Sequence, residues 1–370
     1  MSQPSADLAP YDVVLLGSFG GPESEDEVMP FLRRVVAGRD VPEDRLRVVG
    51  EHYFERGGRS PINDLNRDLI VRLRSELDRR GVDTPIVWGN RNSEPFFADA
   101  VRECLDLGAS RVVTVLTSAY SSYSSCRQYR ENLAAAVEEV GPATDGLVVD
   151  KVRPYFSHPG LGTAWSRALV DALEGLDHPG AARLLFVTHS IPTAMDDTSG
   201  PGDGEGNLYV DQHLRLMRRL VEDANAALGT DLTGELVFCS RSGPPQQPWL
   251  EPDVNDRIEE LADEADGPVV VAPIGFVSDH MEVVQDLDTE AAETARRVGL
   301  PFVRVATPDT DEAFVAGLVD LLLERAAEAR GEVVVPEAWV PGDVRPSVCA
   351  PGCCPNLRAA RPALCGSDAW

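Results

Sequence analysis

The sequence predicts an α/β protein built as two similar Rossmann-like domains, each a four-stranded parallel sheet with helices on both faces, with a cleft between them. Three observations carry this. Short β-rich runs alternate with turn signals and helical patterns along the chain, the rhythm of parallel sheets covered by helices. The runs are apolar throughout, as strands buried on both faces tend to be. They also fall into two sets of four whose closing turns match in order. A length of 370 residues suits two domains of roughly 150 residues plus a remainder.

The strands are expected at about 12–18, 85–90, 111–117 and 146–152, and again at 183–188, 235–239, 268–274 and 302–306. The first of each set ends in a small, polar turn with a proline, GSFGGP and THSIP. The second ends in a turn containing Ser and Pro, NRNSEPF and CSRSGPPQQPW. The third runs into a long polar loop, TSAYSSYSS and PIGFVSDHME, and the fourth closes near a proline. Amphipathic patterns at 62–81 and 211–229 read as helices between strands. A helix near 312–330 follows the last strand and is expected to pack back on the first domain. The division is then 10–155 plus 311–330 for the first domain, 156–310 for the second, and 331–370 as a Cys-rich extension. Ligands of open parallel sheets sit beyond the carboxyl ends of the strands, where these unusual loops lie.

With 34 basic and 61 acidic residues the formal net charge is −27, which argues against nonspecific binding to DNA, RNA or anionic lipid. Lys151 is the one lysine, leaving almost no candidate for a lysine-based phosphate site or Schiff base. The longest apolar runs fall short of the roughly 20 residues of a membrane-crossing helix. The start MSQPSADLAPYD lacks a secretory pattern, so a cytoplasmic location is expected. In that reducing setting, the crowding of Cys349, Cys353, Cys354 and Cys365 near the end suggests metal or cluster binding more than disulfides. Zinc and an iron–sulfur centre both stay open, and the latter needs four thiolates. No dinucleotide loop, Walker sequence or Gly-x-Ser-x-Gly elbow is present.

Three constellations could carry chemistry. His189 follows a buried strand directly and should project into the cleft, although a capping role is the plainer reading. In SDHMEVVQDLDTE, Glu282, Asp286 and Glu290 recur at i, i+4 and i+8. If the segment is helical they share a face, which beside His280 suits a divalent metal or proton transfer. Aromatic and polar residues in SAYSSYSSCRQY, with Phe19, Tyr53, Phe54, Trp249 and Phe276, could wall a large flat apolar ligand or could simply be core.

These motifs resemble the ferrochelatase family, whose members insert ferrous iron into a porphyrin. LLGSFGGPE, RGGRSPIND, FVTHSIP, PPQQPWLEPDV and PIGFVSDHMEVVQDLDTE agree in order over nearly the whole chain. The resemblance implies two four-stranded α/β domains with the porphyrin between them. It puts the family's active-site histidine on His189 and its metal-site glutamate on Glu282, with Asp279 and His280 in the same motif. It puts porphyrin contacts on Ser60 and on Tyr129 or its neighbour Tyr123. Phe19 stands where some relatives carry Tyr or Met facing the metal, and Phe has no ligating atom. The acidic, Lys-poor chain with its CAPGCC tail resembles the actinobacterial branch, which implies coproporphyrin III as substrate, Fe²⁺ as the metal inserted and a structural 2Fe–2S cluster. Cys126 would join Cys349, Cys353 and Cys354 as cluster ligands, with Cys365 a substitute because adjacent cysteines are awkward to use together. Neighbouring haem-pathway enzymes are the implied transient partners. A protoporphyrin IX ferrochelatase, a chelatase for cobalt or nickel, and a porphyrin carrier without turnover are the rivals.

Overall fold

The computed structural model describes residues 7–39, 41–201, 206–243, 246–264, 267–342 and 344–367. Its first sheet holds β1 (Val13–Ser18), β2 (Ile86–Asn90), β3 (Arg111–Leu116) and β4 (Val148–Lys151) in the order β2-β1-β3-β4. The second holds β5 (Arg183–His189), β6 (Gly234–Cys239), β7 (Val269–Ala272) and β8 (Phe302–Arg304) in the order β6-β5-β7-β8. Every pairing is parallel, and the two orders are the same pattern repeated. The expected fold is therefore present, with all eight strands near their expected positions. β1 and β7 are buried at every residue, because helices cover both faces of each sheet.

The halves share one core. Leu16, Val113 and Tyr120 of the first belong to the same buried cluster as Phe186, Leu216 and Val270 of the second. Polar seams fix the register between them. The Tyr120 ring stacks on His213 with centroids 3.7 Å apart, and its hydroxyl donates to the Ile274 carbonyl at 2.5 Å. Gln212 accepts from the Ser121 amide at 2.8 Å and donates to the Ser121 hydroxyl at 3.0 Å. His213 and Gln212 sit on the helix Leu208–Leu228, so the loop after β3 is held against a helix of the other half.

The helix Glu312–Ala329 starts at Asp311, whose carboxylate accepts from the amides of Ala313 and Phe314. It lies on the helices Ile62–Arg79 and Pro159–Glu174 and against β3. Arg153 of the first half meets Glu324 at 2.6 Å, and Arg325 meets Asp150 of β4 at 2.9 Å. Beyond it, the described tail has no helix or strand apart from an isolated Cys349–Gly366 bridge. It runs back over the body of the protein, where the Trp339 amide donates to the Ser157 carbonyl at 2.7 Å and the Leu364 amide to that of Arg130 in the first half at 3.2 Å. Among the described residues no helix is long and apolar enough to cross a membrane.

Candidate active site and a thiol group

His189 is the last residue of β5. The Tyr209 hydroxyl donates to its carbonyl at 2.9 Å and also meets the Thr188 hydroxyl at 2.7 Å, which holds the strand end in place. The ring Nδ1 faces the Ser190 carbonyl. A carbonyl can only accept, so Nδ1 carries the proton and Nε2 is left with its lone pair in the neutral ring. Nε2 points at Glu282, whose Oε2 lies 3.8 Å away. The same oxygen is 4.0 Å from His280 Nδ1, so one carboxylate stands between two imidazoles. Burial lowers the pKa of His280, and its ring packs edge-on against Phe276 at 5.2 Å.

The acidic row is helical as expected, but its winding differs. After one α-turn at Met281–Val283 the chain forms a π-helix over Val284–Ala291, then returns to α-helix over Ala292–Val298. The wider turn still leaves Glu282, Asp286 and Glu290 lining one cavity, about 690 Å³ in volume. Ser240 donates to the Asp286 carboxylate, yet burial pushes Asp286 up to about 7. Asp279 has a different task. Arg304 holds it through two bonds of 3.1 and 2.6 Å, and Arg304 also meets Asp288 at 2.6 Å. One guanidinium from β8 thus brackets the loop that presents His280 and Glu282. From the other side, Arg56 donates to Gln285 at 3.0 Å and to Thr289 at 2.5 Å.

The cavity's opposite wall is apolar and comes from the first half: Leu32, Val35, Val36, Val41, Leu46 and Val49. A volume of this size falls within the range of small-molecule sites. Phe19 lies beside that wall, edge-on to Phe31 at 6.1 Å, with the Arg91 guanidinium 5.4 Å from its ring. Ser60 is buried, and its Oγ accepts from the Met281 amide at 3.3 Å. It therefore joins the first half to the start of the acidic helix. Gly21 must remain small beside it, because a Cβ there would come 2.6 Å from Ser60 Cβ. Tyr123 lines a second cavity of about 220 Å³ with Pro192, Met195, Gln247 and Arg358. Gln247 and Arg358 border both cavities, so the two adjoin. Tyr129 is placed differently from its expected role. It is buried in the first-half core, edge-on to Phe97 at 6.5 Å, and lines neither cavity.

The cysteines expected to act together are close in space. Cys126 sits on a second π-helix, Tyr123–Arg127. Its thiol hydrogen-bonds Cys349, Cys349 in turn bonds Cys353, and Cys353 Sγ is 3.8 Å from Cys354 Sγ. Hydrogen bonds from Cys126 and Cys353 hold the Cys349 thiol well below its ordinary pKa, and Lys151 and Arg130 add to this. Cys354 adopts a left-handed φ of 49°, which turns the chain between adjacent cysteines. Cys365 is directed elsewhere, its thiol 3.2 Å from the Val149 carbonyl. All seven cysteines are free thiols. Among the described residues no group of three or more His, Cys, Asp or Glu side chains is arranged as a site for a metal ion.

The family described as Ferrochelatase matches residues 11–326. The chain belongs to the ferrochelatase family. A coproporphyrin III ferrochelatase of Streptomyces griseus is 50% identical over 371 residues, covering 98% of each chain. One of Streptomyces coelicolor is 47% identical, again over 98% of each. A ferrochelatase of Rhodopirellula baltica is 44% identical over 93% of this chain and 94% of its own.

In this family member, several residues that sequence reasoning passed over stand at the cleft or the thiols. Arg39, Arg45 and Arg358 line the larger cavity. No periodicity or motif marks them; the signal available was their basic character in so acidic a chain. Lys151, set aside as a catalytic candidate, is buried beside the thiols. Burial pulls its pKa down, but Cys349, Cys126 and Cys365 more than offset that and raise it.

Proposed function

We propose that this chain inserts Fe²⁺ into coproporphyrin III to give Fe-coproporphyrin III in haem biosynthesis, with His189 and Glu282 at the point of insertion. The observation that carries the reading is the Glu282 carboxylate, 3.8 and 4.0 Å from two imidazoles beside a cavity of about 690 Å³. Insertion must strip water from the ion and remove two protons from the pyrrole nitrogens. Neutral His189 offers Nε2 as the proton acceptor or as a ligand to the incoming ion. Glu282 attracts Fe²⁺ and can pass protons on to Asp286, which titrates near neutrality, and to Glu290 further along the wall. The apolar wall from Leu32 to Val49 suits the face of a macrocycle. Coproporphyrin III as substrate is supported by the names of the 50% and 47% identical relatives. The free thiols fit a cytoplasmic setting. We assign residues 10–155 and 311–330 to the first domain, supported by the Arg153–Glu324 and Arg325–Asp150 pairs, with 156–310 as the second.

We further propose that Cys126, Cys349, Cys353 and Cys354 hold a 2Fe–2S cluster. The residues fit such a group. Four neighbouring thiols, three of them buried, lie beside the buried cations Lys151 and Arg130, which would offset thiolate charge. A binuclear cluster shares its four thiolates between two irons, so they need not focus on one point as around a single ion. Bound, the cluster would supply a cross-link between the Cys126 turn and the tail.

The test is anaerobic mixing of the purified protein with coproporphyrin III and Fe²⁺, followed by absorbance. Product spectra at catalytic turnover are expected; binding of porphyrin without metallation would instead identify a carrier. Iron with acid-labile sulfide in the same preparation is expected for the cluster, and stoichiometric zinc without sulfide would overturn it.

A further inference from the structure

We propose that Arg358, on the Cys-rich tail, is a substrate-binding residue that works with Arg39 to engage carboxylate groups at the mouth of the cleft. The inference deepens the porphyrin reading above and rests on it. Acidic residues outnumber basic ones 61 to 34, so most arginines should find carboxylates. Many do, including Arg241 on the same cavity, which meets Glu251 at 3.4 Å. Arg39, Arg45 and Arg358 do not: among the described residues none of them forms an ion pair, yet all three face one cavity. Arg39 and Arg358 are near neighbours: desolvation lowers the pKa of Arg39, the charge of Arg358 lowers it further, and Glu282 opposes both. All three arginines are exposed at the cavity edge, and although the charge of Glu282 acts on Arg39 it makes no ion pair with it, so their guanidiniums are left open to a ligand's anion. The cleft thus carries unpaired cations on its rim and Glu282, Asp286 and Glu290 on another wall. A flat ligand with carboxylates on its edge and a metal-accepting centre matches both.

The tail sets where Arg358 stands. Asn356 Nδ2 donates to the Tyr123 hydroxyl at 2.9 Å and to Glu131 at 3.0 Å. Its Oδ1 accepts from the amides of Arg358 at 3.0 Å and Ala359 at 3.3 Å, folding a small turn that directs Arg358 to the cleft. Just upstream, the Cys354 amide donates to the Gly200 carbonyl at 2.8 Å, and the Cys354 thiol sits against Cys353. Tyr123 and Cys126 share the π-helix that this segment grips. The thiol group and the arginine are therefore one mechanical unit, and whatever loosens the tail should weaken substrate binding.

The experiment measures porphyrin affinity by fluorescence quenching without iron, alongside iron-insertion kinetics. The ligands are coproporphyrin III, with four carboxylates, and its uncharged tetramethyl ester. Arg358→Ala should weaken coproporphyrin III binding roughly tenfold, the scale of one charge-assisted contact, with kcat changed less than twofold. Arg358→Lys should recover part of the loss. Ester affinity should be the same in wild type and variant. Asn356→Ala should reproduce the defect, and the double variant should be no worse than Arg358→Ala. Wild-type affinity in Arg358→Ala, or an equal loss for the ester, would overturn the proposal. If the wild-type protein binds coproporphyrin III but inserts no iron, the catalytic reading fails while the binding comparison still decides the role of Arg358. If it binds no porphyrin, both fall.

Discussion

The two π-helices occupy the same place in the repeated fold. Each follows the strand beside the centre of its sheet, β3 in one half and β7 in the other, and each leads into an α-helix. Over Tyr123–Arg127 the wide turn is seeded by Ser122, whose side chain accepts from the Ser125 amide, and it delivers the buried thiol of Cys126 toward the tail. Over Val284–Ala291 it spreads carboxylates along the cleft. Wide turns of this kind are uncommon and gather at functional sites. The same backbone device therefore serves two ends, and the side chains on it decide which. Small polar residues and a cysteine make an anchorage, whereas acids make a reactive wall.

The contrast predicts separable losses. Disabling the reactive wall should have the largest effect: Glu282→Gln or His189→Ala should cut iron insertion by about 100-fold or more while porphyrin still quenches fluorescence. Near-normal turnover in either variant would remove that residue from the chemistry. Disabling the anchorage should act on stability instead. Cys126→Ser should bleach the purified protein and reduce unfolding free energy by up to about 5 kcal/mol, by analogy with a long-range cross-link. Denaturant titration with visible absorbance checks both, and unchanged colour would break the comparison.

A smaller effect concerns pH. Asp286 titrates at about 7 in the fold against an ordinary value of 3.8, chiefly through burial. Its folded pKa is raised, so the stability linked to its protonated form is present below about pH 4 and is lost as pH rises through 7. Asp286→Asn should remove this decline and gain on the order of 4 kcal/mol at pH 8, read from apo-protein melting across pH 4 to 8. A parallel pH profile in variant and wild type would contradict it. The smallest expected effect is Arg56→Ala, which frees Gln285 and Thr289 from the first half and should cost about 1–2 kcal/mol, with a slight fall in kcat.

These cases also separate what could be read from the chain alone. The strands were legible because burial on both faces leaves continuous apolar runs, and the repeat because four closing turns agree in order. His189 was legible because a strand end fixes where the next side chain goes. The shared wall of Glu282, Asp286 and Glu290 was legible from spacing, but its winding was not, since nothing in that spacing separates a π-turn from an α-turn. Tyr129 was not legible either. It follows the π-helix by two residues and lies in the core against Phe97, a placement that its position in the motif could not reveal. Arg358 was beyond reach because its segment has no period at all; two side-chain bonds from Asn356 position it.

Lys151 has a consequence for labelling chemistry. The chain's one lysine is 2% exposed, with its ammonium 3.2 Å from the Val152 carbonyl and thiols around it. Amine-reactive reagents therefore meet no lysine on the folded surface. Acylation of Lys151 reports opening of the fold around it, where Cys126 of the first half and Cys349 and Cys365 of the tail stand close to the amine.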